Sequence, residues 1–298
     1  MQRIFTNEQK MLLGYLCVFG SSVAYGFMPL FASRAYAEGM STFSVVFWRF
    51  SLTTIILLGY ILVRKISLQI EKKKIAFMFM IGALTHVTAN VTLFLSYRYM
   101  DVGLATTVHF IYPVLIVLYS TVFRKEKLSK TKILALSCVL MGVAIISVKG
   151  AGRITPLGIL VALASAVFFT YYAIGLSSKM LQDVPSILVA FYVALGNTMT
   201  LLVLVLWEGS IIPPSRVAMG AVVLNALVAG VIGTWMYVTG IQIVGASNTA
   251  ILSAFEPITA IFVGLYLGES LTGMLFVGIA LILFASYLVM VKEKTRKD

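Results

Sequence analysis

Charge is scarce in this chain. Only 11% of its 298 residues are Asp, Glu, Lys or Arg, while 60% are apolar and the mean hydropathy is +1.00. A soluble domain carries about a quarter charged residues and roughly half apolar ones. Removing the apolar segments leaves no stretch long enough for a soluble catalytic domain, so the composition points to a protein that crosses the membrane many times. Cysteine is nearly absent: Cys17 and Cys138 both lie inside apolar segments and imply neither a disulfide framework nor a metal site. Histidine is limited to His86 and His109, with no histidine–carboxylate spacing of a metal centre. There is no paired-histidine metalloprotease motif, no nucleophile elbow and no P-loop. Gly150-Ala151-Gly152 has no strand before it and reads as a flexible connection. The chain is therefore not expected to be an enzyme, and no cofactor or metal is implied. The net charge of +12 comes from basic residues in short links between apolar segments. That placement orients a chain against a membrane and offers no aromatic-interleaved face for nucleic acid.

Ten apolar spans are expected, near 11–33, 42–63, 75–97, 102–123, 131–148, 156–178, 186–207, 216–239, 246–267 and 272–291. Each is long enough, at about 1.5 Å per residue, to cross about 30 Å of hydrocarbon. Ala35-Tyr36-Ala37 resembles a signal cleavage site, but the apolar run before it exceeds a signal core of about 7–15 residues, so the first span is read as retained. With ten spans both termini share a side. Seventeen Lys and Arg fall on that side against five on the other, which predicts cytoplasmic termini. Arg49 alone lies within a span.

The chain repeats itself at a displacement of 144 residues. Leu13-Gly14 matches Leu157-Gly158, Ser21 matches Ser165, Tyr25 matches Phe169, Phe47-Trp48 matches Phe191-Tyr192, Pro113 matches Pro257 and Ser120 matches Gly264. A repeat of five spans, an odd number, must be inverted in its second copy. Inverted repeats mark secondary transporters, whose site lies at the midplane between the halves.

Two spans carry a proline near the middle, at Tyr112-Pro113 and at Phe255-Glu256-Pro257. Proline cannot donate a backbone hydrogen bond, so the carbonyls of His109 and Ser253 are expected to be freed toward a ligand. Glu256 sits near mid-span, where a charge costs about 2.5–3.5 kcal/mol, and reads as a proton-titrating or amine-binding carboxylate. Its bland alternative is a buried acid satisfied by neighbouring hydroxyls. His86 and Asn90 share one helical face, as do His109 and Tyr112; each histidine is equally readable as a packing residue bonded to a neighbour. Tyr171 and Trp235 are chosen from the many aromatics as apolar walls of the site. Arg49 reads as structural, reaching the outer interface along its own stem or pairing with a carboxylate or carbonyl inside the bundle. Glu126 and Glu269 read as caps or turn formers, and Gly264 and Gly268 as a small-residue packing pair.

Together these residues resemble the EamA family of the drug/metabolite transporter superfamily. The resemblance is carried by Tyr25-Gly26, Phe47-Trp48-Arg49-Phe50, Asn90, Tyr112-Pro113 with Lys125-Glu126-Lys127-Leu128, and Glu256-Pro257 with Gly268-Glu269-Ser270-Leu271. Tyr25 departs from it, standing where the family commonly has tryptophan. The resemblance implies an all-α integral membrane protein of two inverted five-helix EamA repeats, 11–148 and 156–291. It also implies export of amino acids or related small metabolites across a bacterial inner membrane. A zwitterion or amine is the favoured small-molecule substrate, and neither composition nor motif sets the oligomeric state. The alternatives are a permease for a nucleotide-sugar, phosphate ester or vitamin, and a non-transporting membrane subunit or membrane-embedded enzyme.

Overall fold

A hydrocarbon environment offers backbone amides no water, so a spanning chain must satisfy them within helices or a closed barrel. The computed structural model describes residues 6–96, 98–100, 105, 108–147, 155–209, 215–266 and 273–295, and all regular structure among them is helical. The first helix, α1 (Asn7–Gly26), opens on a capping box between Thr6 and Gln9 and gives way at Phe27 to α2 (Met28–Ala37), with proline in its first turn. Then come α3 (Thr42–Val63), α4 (Lys72–Ser96), α5 (Tyr112–Phe123), α6 (Lys130–Ser147) and α7 (Pro156–Leu176). The chain continues through α8 (Ser186–Glu208), α9 (Arg216–Val244), α10 (Ala246–Leu252), α11 (Phe255–Tyr266) and α12 (Gly273–Thr295). Serine or threonine caps the starts of α3, α7 and α9, and left-handed Gly209 closes α8. Among the described residues, six apolar helical stretches are long enough to cross a membrane: α1–α2 taken together, α3, α4, α7, α8 and α9. The chain is a multi-pass membrane protein.

The most extensive helix pairings cross the two halves of the chain. The start of α1 through its end packs on the last part of α9, and the last part of α4 packs on α7. Between these lie α3 on α8, α5 on α10 and α6 on α12. Thr54 and Thr198, 144 residues apart, share a hydrogen bond of 3.0 Å where α3 meets α8. Both α4 and α9 widen into π-helix, over Ile81–His86 and Ala226–Gly233, segments that overlap when shifted by that same displacement. The backbones come close at these segments: a Cβ on Gly82 would stand 2.1 Å from the carbonyl oxygen of Val193, and one on Gly196 2.3 Å from that of Phe79.

Polar contacts sort the links into two groups. Lys74 bonds Asp183, Arg124 donates to Ser177 Oγ and the Ile174 carbonyl, and Ser247 Oγ donates to Glu126. These contacts gather the links after α3, α5, α7 and α9. In the other group Ser215 Oγ donates to Glu38, and Thr155 Oγ1 donates to the carbonyl of Tyr99. Because α3 alone spans roughly 33 Å at 1.5 Å per residue, the two groups stand at opposite ends of the bundle.

The break expected at Pro257 lies a few residues earlier in the chain. The interruption falls at Ser253-Ala254, and α11 restarts at Phe255 with proline in its first turn, where a missing N–H has no helical partner in any case. The Ser253 carbonyl, expected to be free, instead accepts the Glu256 N–H at 3.0 Å, because the chain tightens to an i+3 turn there. In the first repeat, turn residues Phe110 and Ile111 precede α5, which begins at Tyr112 with Pro113 in its first turn. Gly268 and Glu269 lie outside the described residues, as do Gly150-Ala151-Gly152.

Candidate functional site

A cavity of about 60 Å³ lies at the centre of the bundle, where α1, α3, α4, α7, α9 and both interrupted helices converge. Five side chains singled out from the sequence meet there: His86, Asn90, His109, Tyr112 and Glu256. The two interruptions deliver Tyr112 and Glu256, each in the first turn of the helix that follows the break. A helix N-terminus carries partial positive charge, so this position favours the carboxylate of Glu256. No hydrogen bond or ion pair to that carboxylate is formed among the described residues.

Two of the expected wall residues lie elsewhere. Tyr171 is 54% exposed on the outside of α7, and Trp235 is 41% exposed on α9, donating its indole N–H to Ser186 Oγ at 3.0 Å. A helix turns about 100° per residue, so each choice missed by one position. Their neighbours Tyr172 and Thr234 are the inward groups, buried at 1% and 4% exposure. Phe169, one turn before Tyr172, forms the α7 wall of the cavity, with Tyr25 on α1.

Both histidines are held by one ring nitrogen. Asn197 Nδ2 lies 3.1 Å from His86 Nδ1 and also donates to the Val193 carbonyl. Amide nitrogen is a donor only, so His86 Nδ1 accepts and its proton sits on Nε2. His86 also stacks on Tyr172 with centroids 4.0 Å apart and meets Phe50 edge-on. His109 Nδ1 is 2.8 Å from Ser165 Oγ, whose own proton goes to the Ala162 carbonyl. His109 therefore donates from Nδ1 and keeps Nε2 as an acceptor. With both imidazoles neutral, these bonds leave them opposite capacities, His86 a donor and His109 an acceptor.

Of the two readings of Arg49 the structure takes the second: the side chain pairs inside the bundle, with an amide carbonyl oxygen and not a carboxylate, and at 5% exposure it lines the cavity. Its Nη2 donates to Asn90 Oδ1 at 2.8 Å, Nη1 rests on Met28 Sδ at 2.6 Å, and the guanidinium lies over the Phe50 ring. Asn90 Nδ2 in turn donates to the His86 carbonyl at 2.8 Å. Nε of Arg49 has no partner, and no acid pairs with the guanidinium among the described residues. A cation and an acid thus line one cavity without neutralising each other. Thr234, which accepts the Tyr25 hydroxyl at 3.3 Å, and Asn197 were also missed. A signal for Thr234 existed: it stands 144 residues after Asn90, and for Asn197 the signal was an isolated amide in an apolar run.

The chain matches the model of the EamA-like transporter family twice, over residues 12–148 and 156–291. It is 29% identical over 221 residues to the uncharacterized transporter YvbV of Bacillus subtilis (strain 168), covering 70% of this chain and 71% of that protein. It is 27% identical over 206 residues to the uncharacterized transporter sll1319 of Synechocystis sp. (strain ATCC 27184 / PCC 6803 / Kazusa). That match covers 65% of this chain and 60% of the relative's length. A solved crystal structure shares the fold with a TM-score of 0.81 at 20% identity, covering 96% of this chain and 99% of its own. With both halves of the chain matched, this protein belongs to the EamA-like transporter family.

Proposed function

We propose that this protein is a secondary transporter that exports amino acids or related zwitterionic metabolites across the inner membrane by alternating access. The observation that carries the reading is the pair Arg49 and Glu256, a buried guanidinium and an unpartnered carboxyl on one cavity. An unpaired charge in a membrane interior is costly, so such groups mark a substrate or ion pathway. A zwitterion complements both: its carboxylate faces Arg49 and its ammonium faces Glu256, with Tyr25, Tyr112 and Phe169 as apolar walls. A nucleotide-sugar or phosphate ester would call for further cations, and Arg49 is the only Lys or Arg among the described cavity residues.

The architecture behind this reading is ten spans in two inverted repeats, 11–148 and 156–291, with cytoplasmic termini. Cross-half helix pairing, the Thr54–Thr198 contact and the two π segments support it. At about 60 Å³ the cavity is far below the roughly 300–1,000 Å³ of a formed small-molecule site. Substrate therefore binds only when the halves part, and rocking about the α3–α8 and α5–α10 contacts exposes the site to each side in turn.

The test is flux into proteoliposomes with an amino-acid panel, each member run beside its decarboxylated amine and its deaminated acid. Losing one charge-assisted bond removes about 1.5–3 kcal/mol, so the best amino acid should outrun both analogues by roughly tenfold or more. Equal transport of the amine would take Arg49 out of recognition, and no flux of any member would end the carrier reading.

A further inference from the structure

We propose that the link between α5 and α6 forms a second, separate binding site for a phosphate-bearing anion, filled in the membrane by the headgroup of an anionic phospholipid. A cavity of about 730 Å³ opens there, away from the transport cavity. Arg124, Lys125, Lys127 and Lys132 supply four cations to its lining, against the single carboxylate of Glu126. That carboxylate does not oppose an incoming anion, because Lys132 pairs with it and Ser247 Oγ donates to it at 2.7 Å. The guanidinium of Arg124 is held on two neutral acceptors, Ser177 Oγ at 2.8 Å and the Ile174 carbonyl at 3.0 Å, which fix its position without cancelling its charge. Lys125 and Lys127 are exposed and form no ion pair among the described residues.

Three uncompensated positive charges around one hollow select a multiply liganded anion, and phosphate oxygens satisfy several lysines at once. The apolar part of the lining, Leu288 and Val289 of α12, distinguishes a lipid from a soluble phosphate. Val122 and Phe123, immediately before Arg124, are 66% and 71% exposed, as side chains facing acyl tails would be. A basic pocket between spanning helices with an apolar flank has the chemistry of a headgroup site at the membrane interface. The proposal concerns residues outside the transport cavity and stands whether or not the substrate reading holds.

The experiment uses the full-length protein in neutral detergent, with native mass spectrometry titrating phosphatidylglycerol and phosphatidylcholine. Each lysine near a membrane surface contributes about 1 kcal/mol toward an anionic lipid, a factor of about five. The wild type should prefer phosphatidylglycerol, and the Lys125→Gln/Lys127→Gln double variant should bind it about 25-fold more weakly with phosphatidylcholine binding unchanged. The Lys125→Arg/Lys127→Arg variant should retain the preference. Competition by inorganic phosphate separates the sources: displacement only at large excess assigns the lipid, and displacement at comparable concentration assigns a soluble phosphate to the same site. Equal binding of the two lipids by the wild type, a preference that survives the double Gln variant, or loss in the Arg variant would each overturn the site.

Discussion

Glu256 and Arg49 line one cavity with opposite formal charge, and substituting Glu256 separates the proposed function from packing. Glu256 sits in the first turn of α11, where the helix dipole stabilises a carboxylate. If it were only a cap, Gln would replace it with little effect. On the proposed reading, in which it binds an ammonium group, Glu256→Gln should lower flux at least tenfold while leaving protein yield and melting temperature unchanged. Flux of the wild type that stays flat over a range of pH would remove its ionisation from the mechanism. Asn197 is a contrasting case, since it lies outside the cavity lining and holds His86. Asn197→Ala strands a buried ring nitrogen, which costs about 1–3 kcal/mol, so it should lower thermal stability before it alters substrate preference. The inward residues were half legible from sequence. Polar groups in an apolar run (His86, Asn90, His109, Glu256) announce themselves, because lipid excludes them from the outer face. Aromatic residues do not, since a tyrosine suits lipid and interior alike, and so Tyr171 was chosen where Tyr172 turns inward.

At the scale of helices, glycine decides how closely α4 and α8 approach. A methyl group on Gly82 would stand 2.1 Å from the Val193 carbonyl oxygen, a backbone atom that cannot step aside. Gly82→Ala should therefore destabilise by about 1–3 kcal/mol, the range for overpacked interiors. Gly220 in α9 has nothing within 4 Å of such a methyl. Gly220→Ala should be neutral or stabilise by up to about 1 kcal/mol through helix propensity. Thermal unfolding of both variants in the same detergent checks the contrast, and equal effects would refute the close crossing. Sequence spacing drew attention to Gly264 and Gly268 instead, because a four-residue interval is visible in the chain while the partner backbone is not. The proline interruptions were legible in position to within a few residues. The tightened turn at Ser253 was not, since a proline specifies which donor is missing and leaves open how the chain re-bonds around it.

For the whole molecule the decisive relation is which links share an end. The Lys74–Asp183 pair joins the links after α3 and α7, and the Lys74 hydrogen bond holds the Asp183 carboxyl below the usual aspartate range. A depressed carboxyl contributes at neutral pH and loses its contribution as pH falls through the lowered value. With its carboxylate exposed to solvent, this pair is a marker of topology more than a source of stability. Single cysteines at Gln69 and Gln182 should thus be labelled from one side of the membrane, and cysteines at Glu38 and Ser215 from the other. Labelling of Gln69 and Gln182 positions from opposite sides would dissolve the inverted arrangement and the rocking motion with it.

The amino-acid sequence alone determined the membrane class, the approximate limits of the apolar segments, the 144-residue repeat and the polar groups gathered at the centre. Those features follow from hydrophobicity and from the exclusion of polar groups from lipid, which act along the chain residue by residue. Only the tertiary structure decided which face of each helix turns inward, that Arg49 meets Asn90 instead of an acid, and that Glu256 shares its cavity. In a helix apolar all round, periodicity does not distinguish lipid from protein; that choice is made by the neighbour packed against it.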